Sequence, residues 1–565
     1  YGENYVELVR EDGTKITYYH DESGRHICTE FLGTKEEYCY NDQNHRTTYI
    51  DENGKNYIRY FDENGNIISF INPMGEETKY FYEAHTAEPV KMILADGEKR
   101  EASYDDVGNI KTLCDECGNI TEFKYNIYGQ VVGIINPDAS FYTFSYDEKG
   151  NLIEECDECG CVTKYYYDEY GNVKEKKSPT GISRFYTYSA AGDLLSYTNG
   201  EGNTRYYKYN ERHQVIEVTD FDGYSEQWKY NRRGFLTEHI DKCGNSVEYK
   251  YDSFGNRIGI KMPNGGEIIR SFNEKNQLIK EIDLDGECTE YQYDAVGNCV
   301  TYQKGEYIIH FAYDDMGRIV RKSDNVGYSE NALWNSRGNI LEMNTEEGKQ
   351  LTCIYDSAGR CVKQRNIYGK TTEYEYDVMG RVIKIKDENG RISSYKYNSD
   401  GTLIKSSYAD GSYIEFFYDA DKKIIKKKFK NGNILKYKYD REKRITQISD
   451  NLGHTIDFEY DITGNVIRKK YPNGAIYEFQ YTPIGKMNYI KDPLGNEIRY
   501  EYDCMNRLIH ILRGNLSENA ARQILKKATE EQNVFNKDDA YHILTYEYTK
   551  GGKLASRIDQ SGCKD

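Results

Sequence analysis

The sequence predicts an all-β protein: a long array of about 24 β-hairpins forming one continuous spiralling sheet, with a short helical insertion near the C-terminus. Three observations carry this. Tyrosine occurs 57 times and glycine 49 times in 565 residues, against two tryptophans and eight prolines. An aromatic-to-glycine motif returns at a fixed short interval along nearly the whole chain. Between the turn residues, apolar and polar side chains alternate over about six positions, the period of a half-buried strand. A fixed period of roughly 21 residues means a repeat architecture.

The motif is plain in "YYYDEYGNV" at 165–173 and "EYEYDVMGRV" at 373–382. The aromatic that precedes the acidic or amide turn residue sets the phase. It falls at Tyr104, Tyr125, Tyr146, Tyr167, Tyr188, Tyr209, Tyr230, Tyr251, Phe272 and Tyr293. It continues at Tyr313, Trp334, Tyr355, Tyr376, Tyr397, Tyr418, Tyr439, Tyr460, Tyr481 and Tyr502, with weaker copies at His20, Tyr40, Phe61 and Tyr82. These aromatics are the candidate structural residues of the array.

Each repeat holds two turns. The first follows the aromatic, as at Asp147–Gly150; the second comes about ten residues later, as "DENG" at 51–54, "DECG" at 157–160 or "DPLG" at 492–495. Pro73, Pro137, Pro179, Pro263, Pro472 and Pro493 sit at or beside second turns, where a fixed φ helps and a missing N–H costs little. Aromatics two apart, such as Phe144 and Tyr146 or Trp228 and Tyr230, share one sheet face. Aliphatic residues just after the first turn, such as Leu152 and Val382, fill the gaps between rings. The opposite face carries Lys, Glu, Arg and Thr and is expected to be wet.

The comb breaks once. After Tyr502 the next comparable aromatic is Tyr548, and the text between them has Ala520, Ile524 and Ala528 on one helical face, with Ala521 and Leu525 beside it. Ser517 is placed to cap that helix. The expected division is a β-array over 1–514, a helical insertion over 515–545 and a last hairpin over 546–565.

Composition narrows the function classes. A net charge of −18 and a pI near 5.3 argue against a nucleic-acid-coating surface. No run of about 18 apolar residues occurs, so no membrane-spanning helix is expected. The chain opens on a tyrosine within the pattern and reads as part of something longer. A native export signal would then lie outside it, making the protein secreted or cell-surface-associated. The 14 cysteines are scattered and are expected to be reduced thiols.

Searches for chemistry find turns instead. Cys114/Cys117 and Cys156/Cys159 form two CxxC pairs, but two hairpins separate them by roughly 19 Å, and one zinc needs its sulfurs within about 2.3 Å. Cys117, Cys159 and Cys243 share one turn position, so a turn is expected, with a metal or disulfide as the alternative. Turns such as "DLDG" at 283–286 lack the ligand set of a calcium loop. There is no GxSxG, HExxH or GxxxxGK[ST]. "GEGNTR" at 200–205 lacks a third glycine and precedes a strand, unlike a dinucleotide loop. The basic stretch at 421–444 could touch nucleic acid or an acidic cargo, or be the solvated face of one hairpin. No enzyme activity and no cofactor are expected.

The repeat, written YxYDxxGN/R with DxxG half a period later, resembles the YD repeat of the Rhs family. That family comprises bacterial polymorphic toxins, insecticidal toxin complexes, wall-associated toxins and animal teneurins. The resemblance covers nearly the whole chain. It implies a β-ribbon that spirals into a hollow shell, which in the toxins encloses a C-terminal effector polypeptide. The family's aspartyl self-cleavage segment has no counterpart here, since the chain ends at "RIDQSGCKD". Geometry agrees: about 48 strands would make a ribbon roughly 230 Å long, or roughly 70 Å across if closed in one turn. The implied function is a non-catalytic shell. The implied partners are an effector polypeptide absent from this chain or the remaining shell segments. A cell-surface adhesin that stacks tyrosine rings on surface glycans is the alternative.

Overall fold

The computed structural model describes residues 4–10, 14–83, 88–513 and 543–559. They form 51 strands and one three-residue 3-10 turn, Asp42–Asn44. Among the described residues each strand pairs antiparallel with its neighbours in sequence, from Tyr5–Val9 to Leu554–Ile558. The first and last strands do not pair with each other, so the sheet is one open ribbon. The all-β hairpin array predicted from the period is the fold.

The two arms of each repeat differ. Val162–Tyr167 meets Val173–Lys177 across the first turn over four registered pairs, with a β-bulge beside Tyr167. Val173–Lys177 then meets Ser183–Tyr188 across the second turn over only three pairs, without a bulge. A bulge bends its strand and increases the local twist. Repeated on one side of nearly every hairpin, it curves the ribbon in one direction.

Both turns use one geometry. The Asp147 N–H donates to the Asn151 carbonyl at 2.9 Å, and the Gly150 N–H donates to the Asp147 carbonyl at 3.0 Å. The Asp147 carboxylate accepts from the N–H groups of Lys149 and Asn151 at 2.9 and 2.8 Å. Gly150 has φ +88°, where any side chain would be strained. The second turn at Asp157 repeats this pattern, its carboxylate accepting from Cys159 and Cys161.

The repeat tyrosines close a gap in the ladder. The Tyr146 hydroxyl donates to the Val131 carbonyl, fifteen residues earlier, at 2.8 Å. Val131 starts its strand, beyond the three pairs that join Gly133–Ile135 to Phe141–Thr143, so its carbonyl has no ladder partner on that side. An unpaired, partly buried carbonyl is costly, and the phenol supplies the donor. The same bond recurs from Tyr125 to Ile110, Tyr167 to Leu152, Tyr251 to Leu236, Tyr376 to Cys361 and Tyr502 to Met487. Trp334 makes it with its indole N–H, to Ile319 at 2.9 Å.

There is no second layer. Among apolar side chains of the described residues only Ile260, Cys353, Tyr489 and Leu512 are buried, and of these only Leu512 fully. The accessible surface is 33619 Å², whereas a compact protein of 65.8 kDa would expose about 21,000 Å². The molecule is a wall one sheet thick.

That wall coils upon itself. Asp96, in a second turn, forms an ion pair with Arg337, in a first turn 23 strands further on. At about 4.8 Å per strand, one circuit measures roughly 110 Å, or roughly 35 Å across. This corrects the single loop of roughly 70 Å expected from total length. The ribbon makes about two circuits, because the bulge in nearly every repeat curves it more tightly than simple closure requires.

The helical insertion expected from 515 lies outside the described residues as far as 542. Ile543–Tyr548 is strand, paired with Leu508–Arg513 on one side and Leu554–Ile558 on the other.

Replacing Tyr376 by phenylalanine keeps the ring but strips the Cys361 carbonyl of its donor. The variant should lose about 1 kcal/mol, read as faster amide exchange in strands 361–366 and 371–376. Unchanged exchange there would show that the hydroxyl contributes packing only.

Candidate functional site: the seam between coils

The contact between coils centres on the second turn of each repeat, above all on its third residue. In the first coil Asp222 holds this position and accepts from the Tyr224 N–H of its own turn at 3.2 Å; the others are Asn53, Met74, Asp96, Cys117, Asp138, Cys159, Thr180, Glu201, Cys243, Asn264 and Asp285. Each of these others meets a first turn, or the strand beside it, from the second coil. Arg318 reaches the Met74 sulfur at 3.0 Å, Arg360 the Cys117 sulfur at 3.6 Å and Arg381 the Asp138 carboxylate at 3.4 Å. The Asn398 amide donates to the Cys159 sulfur at 3.1 Å. The Gly551 N–H donates to the Asp285 carboxylate at 2.7 Å. Thus Cys117, Cys159 and Cys243, alike in the repeat, are alike in place: all three lie in the seam.

The seam is electrostatically matched. In the first coil the residue after the first-turn glycine is mostly an amide, as at Asn66, Asn109, Asn151, Asn172 and Asn256. In the second it is often arginine: Arg318, Arg360, Arg381, Arg444 and Arg507. Such an arginine has several tasks. Arg360 pairs with its own turn carboxylate, Asp356, at 2.7 Å, lies over the Tyr376 ring at 4.9 Å and contacts Cys117 across the seam. The acidic second turns of the first coil therefore face the cationic first turns of the second. Arg337 is the most enclosed arginine of these turns, 2.5 Å from Asp96 and 3.3 Å from Glu116, whose side chain is 5% exposed.

The seam also explains departures from the turn consensus. In the second coil Lys422, Lys443 and Asn506 stand where the other first turns carry glycine, at φ +62°, +63° and +60°. That backbone costs an L-residue roughly 1–2 kcal/mol. Each side chain reaches the first coil: Lys422 to Asp157 at 3.3 Å, Lys443 to Thr180 at 2.9 Å and Asn506 to Asp241 at 3.4 Å. Gly200 is the converse. A Cβ there would lie 2.6 Å from the Ile182 side chain and 2.9 Å from the Arg441 carbonyl, so the next coil passes too close for any side chain. The "GEGNTR" text is a seam turn.

The predicted ring positions do not form an open aromatic surface. Tyr104, Tyr188, Tyr209, Tyr230, Tyr293, Tyr355, Tyr397, Tyr418, Tyr439, Tyr460 and Tyr481 are part-buried. The hydroxyls of Tyr209, Tyr230, Tyr293 and Tyr355 donate to carbonyls one repeat back. Burial raises the hydroxyl pKa of Tyr188 and Tyr230 above the ordinary tyrosine range. None of the thirteen described cysteines is joined to another. Among the described residues no three His, Cys, Asp or Glu side chains converge as metal ligands.

Comparison with known proteins places this geometry. The teneurin YD-shell family model matches residues 333–437 and 418–563, and the RHS repeat model matches 188–225. Over these residues the chain carries Rhs/YD repeats. Among solved structures, the YD array is similar to a chain of the Photorhabdus luminescens Tc holotoxin pore bearing a TccC3 mutation. The two are 12% identical, with a TM-score of 0.61, over 97% of this chain and 38% of that one. It is also similar to a chain of the TcdB2-TccC3-TEV crystal structure, at 12% identity and a TM-score of 0.53, over 96% of this chain and 34% of that one. The YD array thus spans little more than a third of the chains it matches. No curated protein sequence matches it.

The seam carboxylates carry a pH signature. Burial pushes the Asp96 and Asp421 carboxyls up, but the hydrogen bonds and charges of Arg337 and Lys443 outweigh it and hold both below the usual range. A lowered folded pKa stabilises the seam above about pH 4, and that stabilisation is lost as pH falls through the folded value. Acidification from neutral pH to below about 4 should therefore expose amides 94–98 to exchange before the strand ladders open. Arg337→Ala should do the same at neutral pH, lowering protection there by about a hundredfold, equivalent to about 3 kcal/mol. Protection unchanged in both cases would mean that the coils do not depend on these pairs.

Proposed function

We propose that this YD-repeat chain is a non-catalytic section of the wall of a toxin-like encapsulating shell, acting by confinement on an effector polypeptide. The observation that carries this reading is the seam. A sheet one layer thick whose successive circuits join rim to rim separates an inside from an outside. Subtracting about 5 Å of side chain on each wall leaves a lumen roughly 25 Å wide. A folded domain of about 100 residues has a radius of gyration of about 13 Å, and so a diameter of roughly 30 Å or more. The enclosed effector would therefore be extended or partly folded in this section, kept from the producing cell by the wall rather than by an inhibitor. None of this requires an active site in the wall.

The open rims suggest how the enclosure is completed. On the second coil the seam position holds Val326, Tyr368, Leu452 and Leu494, which are 75%, 80%, 76% and 88% exposed. The free first turns of the first coil show Val107, Ile127 and Tyr128 equally bare. Apolar residues at a position that elsewhere in the molecule meets another coil suit further shell segments. Release outside the producing cell, as a secreted or surface-associated protein, fits this role. No described helix is long and apolar enough to cross a membrane. Surface glycans are the weaker partner, because the repeat rings are held by backbone carbonyls and exposed rings such as Tyr128 and Tyr368 sit singly at turn tips.

Electron microscopy tests the reading. End-on views of the isolated chain should show a ring with a central void. A filled particle or an uncoiled ribbon would overturn confinement while leaving the repeat assignment intact.

A further inference from the structure

Along most of the sheet face opposite the repeat tyrosines, charge is balanced across neighbouring strands. Lys208 stands directly opposite Glu217 with an ion pair of 2.9 Å. Lys229 and Glu238 do the same at 2.7 Å, and Lys384 and Glu375 at 2.7 Å. Such opposed pairs are how a polar sheet face stabilises itself.

Five consecutive strands of the second coil break the rule: Ile392–Tyr397, Leu403–Ser407, Tyr413–Tyr418, Ile424–Phe429 and Ile434–Tyr439. Lys396 stands directly opposite Lys405, and Lys426 directly opposite Lys436. Lys438 follows Lys436 on the same face, opposite Gln447. The one carboxylate in this area, Glu415, is taken by Lys405 at 3.0 Å and lies 3.8 Å from Lys428. Among the described residues, Lys396, Lys426, Lys436 and Lys438 have no carboxylate within ion-pair distance. Phe417 is 40% exposed in their midst, with the Lys426 ammonium 4.5 Å from its ring centre. Like charges placed directly opposite cost stability, and here six lysines share one acid in a chain of net charge −18.

We propose that this lysine face is a binding site for an extended acidic stretch of polypeptide. Lysines on one strand repeat every second residue, at about 6.8 Å, and so do the alternate carboxylates of an extended acidic peptide. Four strand spacings give a footprint roughly 19 Å wide, bounded by faces where acid and base are matched again, Lys384 with Glu375 on one side and Arg468 with Glu459 on the other. A short acidic segment fits within it, while a long polyanion would run on over charge-matched faces of a chain whose net charge is −18 and gain nothing there. Phe417 offers an apolar contact between the charged rows. The site stands apart from the confinement reading and holds whether or not the wall encloses a cargo.

The test uses the full chain and a fluorescein-labelled peptide of alternating glutamate and serine, roughly ten residues long, followed by anisotropy. At about 25 mM salt the peptide should bind saturably and weaken as salt rises. Lys426→Gln, Lys436→Gln and Lys438→Gln together should weaken binding by about tenfold or more. The matched triple Lys208→Gln, Lys229→Gln and Lys250→Gln, which removes lysines that already have acidic partners, should leave it unchanged. Arginine at 426, 436 and 438 should retain binding, which separates loss of charge from loss of fold. No binding by the parent chain, or equal loss in both glutamine triples, overturns the site. Tighter binding of a thymidine oligonucleotide of similar length overturns its assignment to polypeptide.

Discussion

A wall one sheet thick has no core, so it must find its order within the ribbon. The interaction that supplies it is the phenol of each repeat tyrosine, hydrogen-bonded to a carbonyl in the preceding repeat. The three-pair arm of each hairpin ends too early to satisfy that carbonyl, and the four-pair arm with its bulge leaves the ring beside it. The bond ties each repeat to the last at a fixed offset. With every offset alike, the curvature is alike too, and the ribbon returns to itself after a constant number of strands.

That return is what turns a repeat into a wall. The third residue of the second turn is a solvent-facing turn tip in an isolated hairpin. After one circuit it lies against another turn. Selection on such a position concerns a neighbour a whole circuit away in sequence, as in Asp96 and Arg337. This accounts for the mixed company there, with aspartate, cysteine, threonine and methionine all serving. It also accounts for Lys422 and Lys443, which tolerate left-handed backbone in order to reach the first coil.

Much of this was legible in the sequence. The comb of aromatics, the two turns and the alternation gave the hairpins, because each is a local rule acting within a few residues. The tyrosine positions followed from the same comb, although their hydroxyl bonds did not: Phe61 and Phe272 fill the same slot without a donor, which makes the ring look like the whole story. The number of circuits was not legible, since it depends on a small bend per bulge summed over many strands. One signal was present but unused. The residue after the first-turn glycine changes from mostly amide to often arginine near Arg318, where the second coil begins to face acidic turns. Treating asparagine and arginine as interchangeable there concealed the seam.

Successive coils touch at defined residues, and a cross-link tests that contact most directly. Cys117 faces Arg360 across the seam, 243 residues away in sequence. In an Arg360→Cys variant treated with a short bismaleimide, which bridges the space left by the arginine side chain, the account predicts an intrachain thioether cross-link joining the peptides that contain positions 117 and 360, seen by mass spectrometry. It should be absent when the same substitution is made at Arg391, which lies in a second turn on the open rim. If the two peptides never join, or if position 391 links to Cys117 as readily as position 360 does, the coils are not stacked as described.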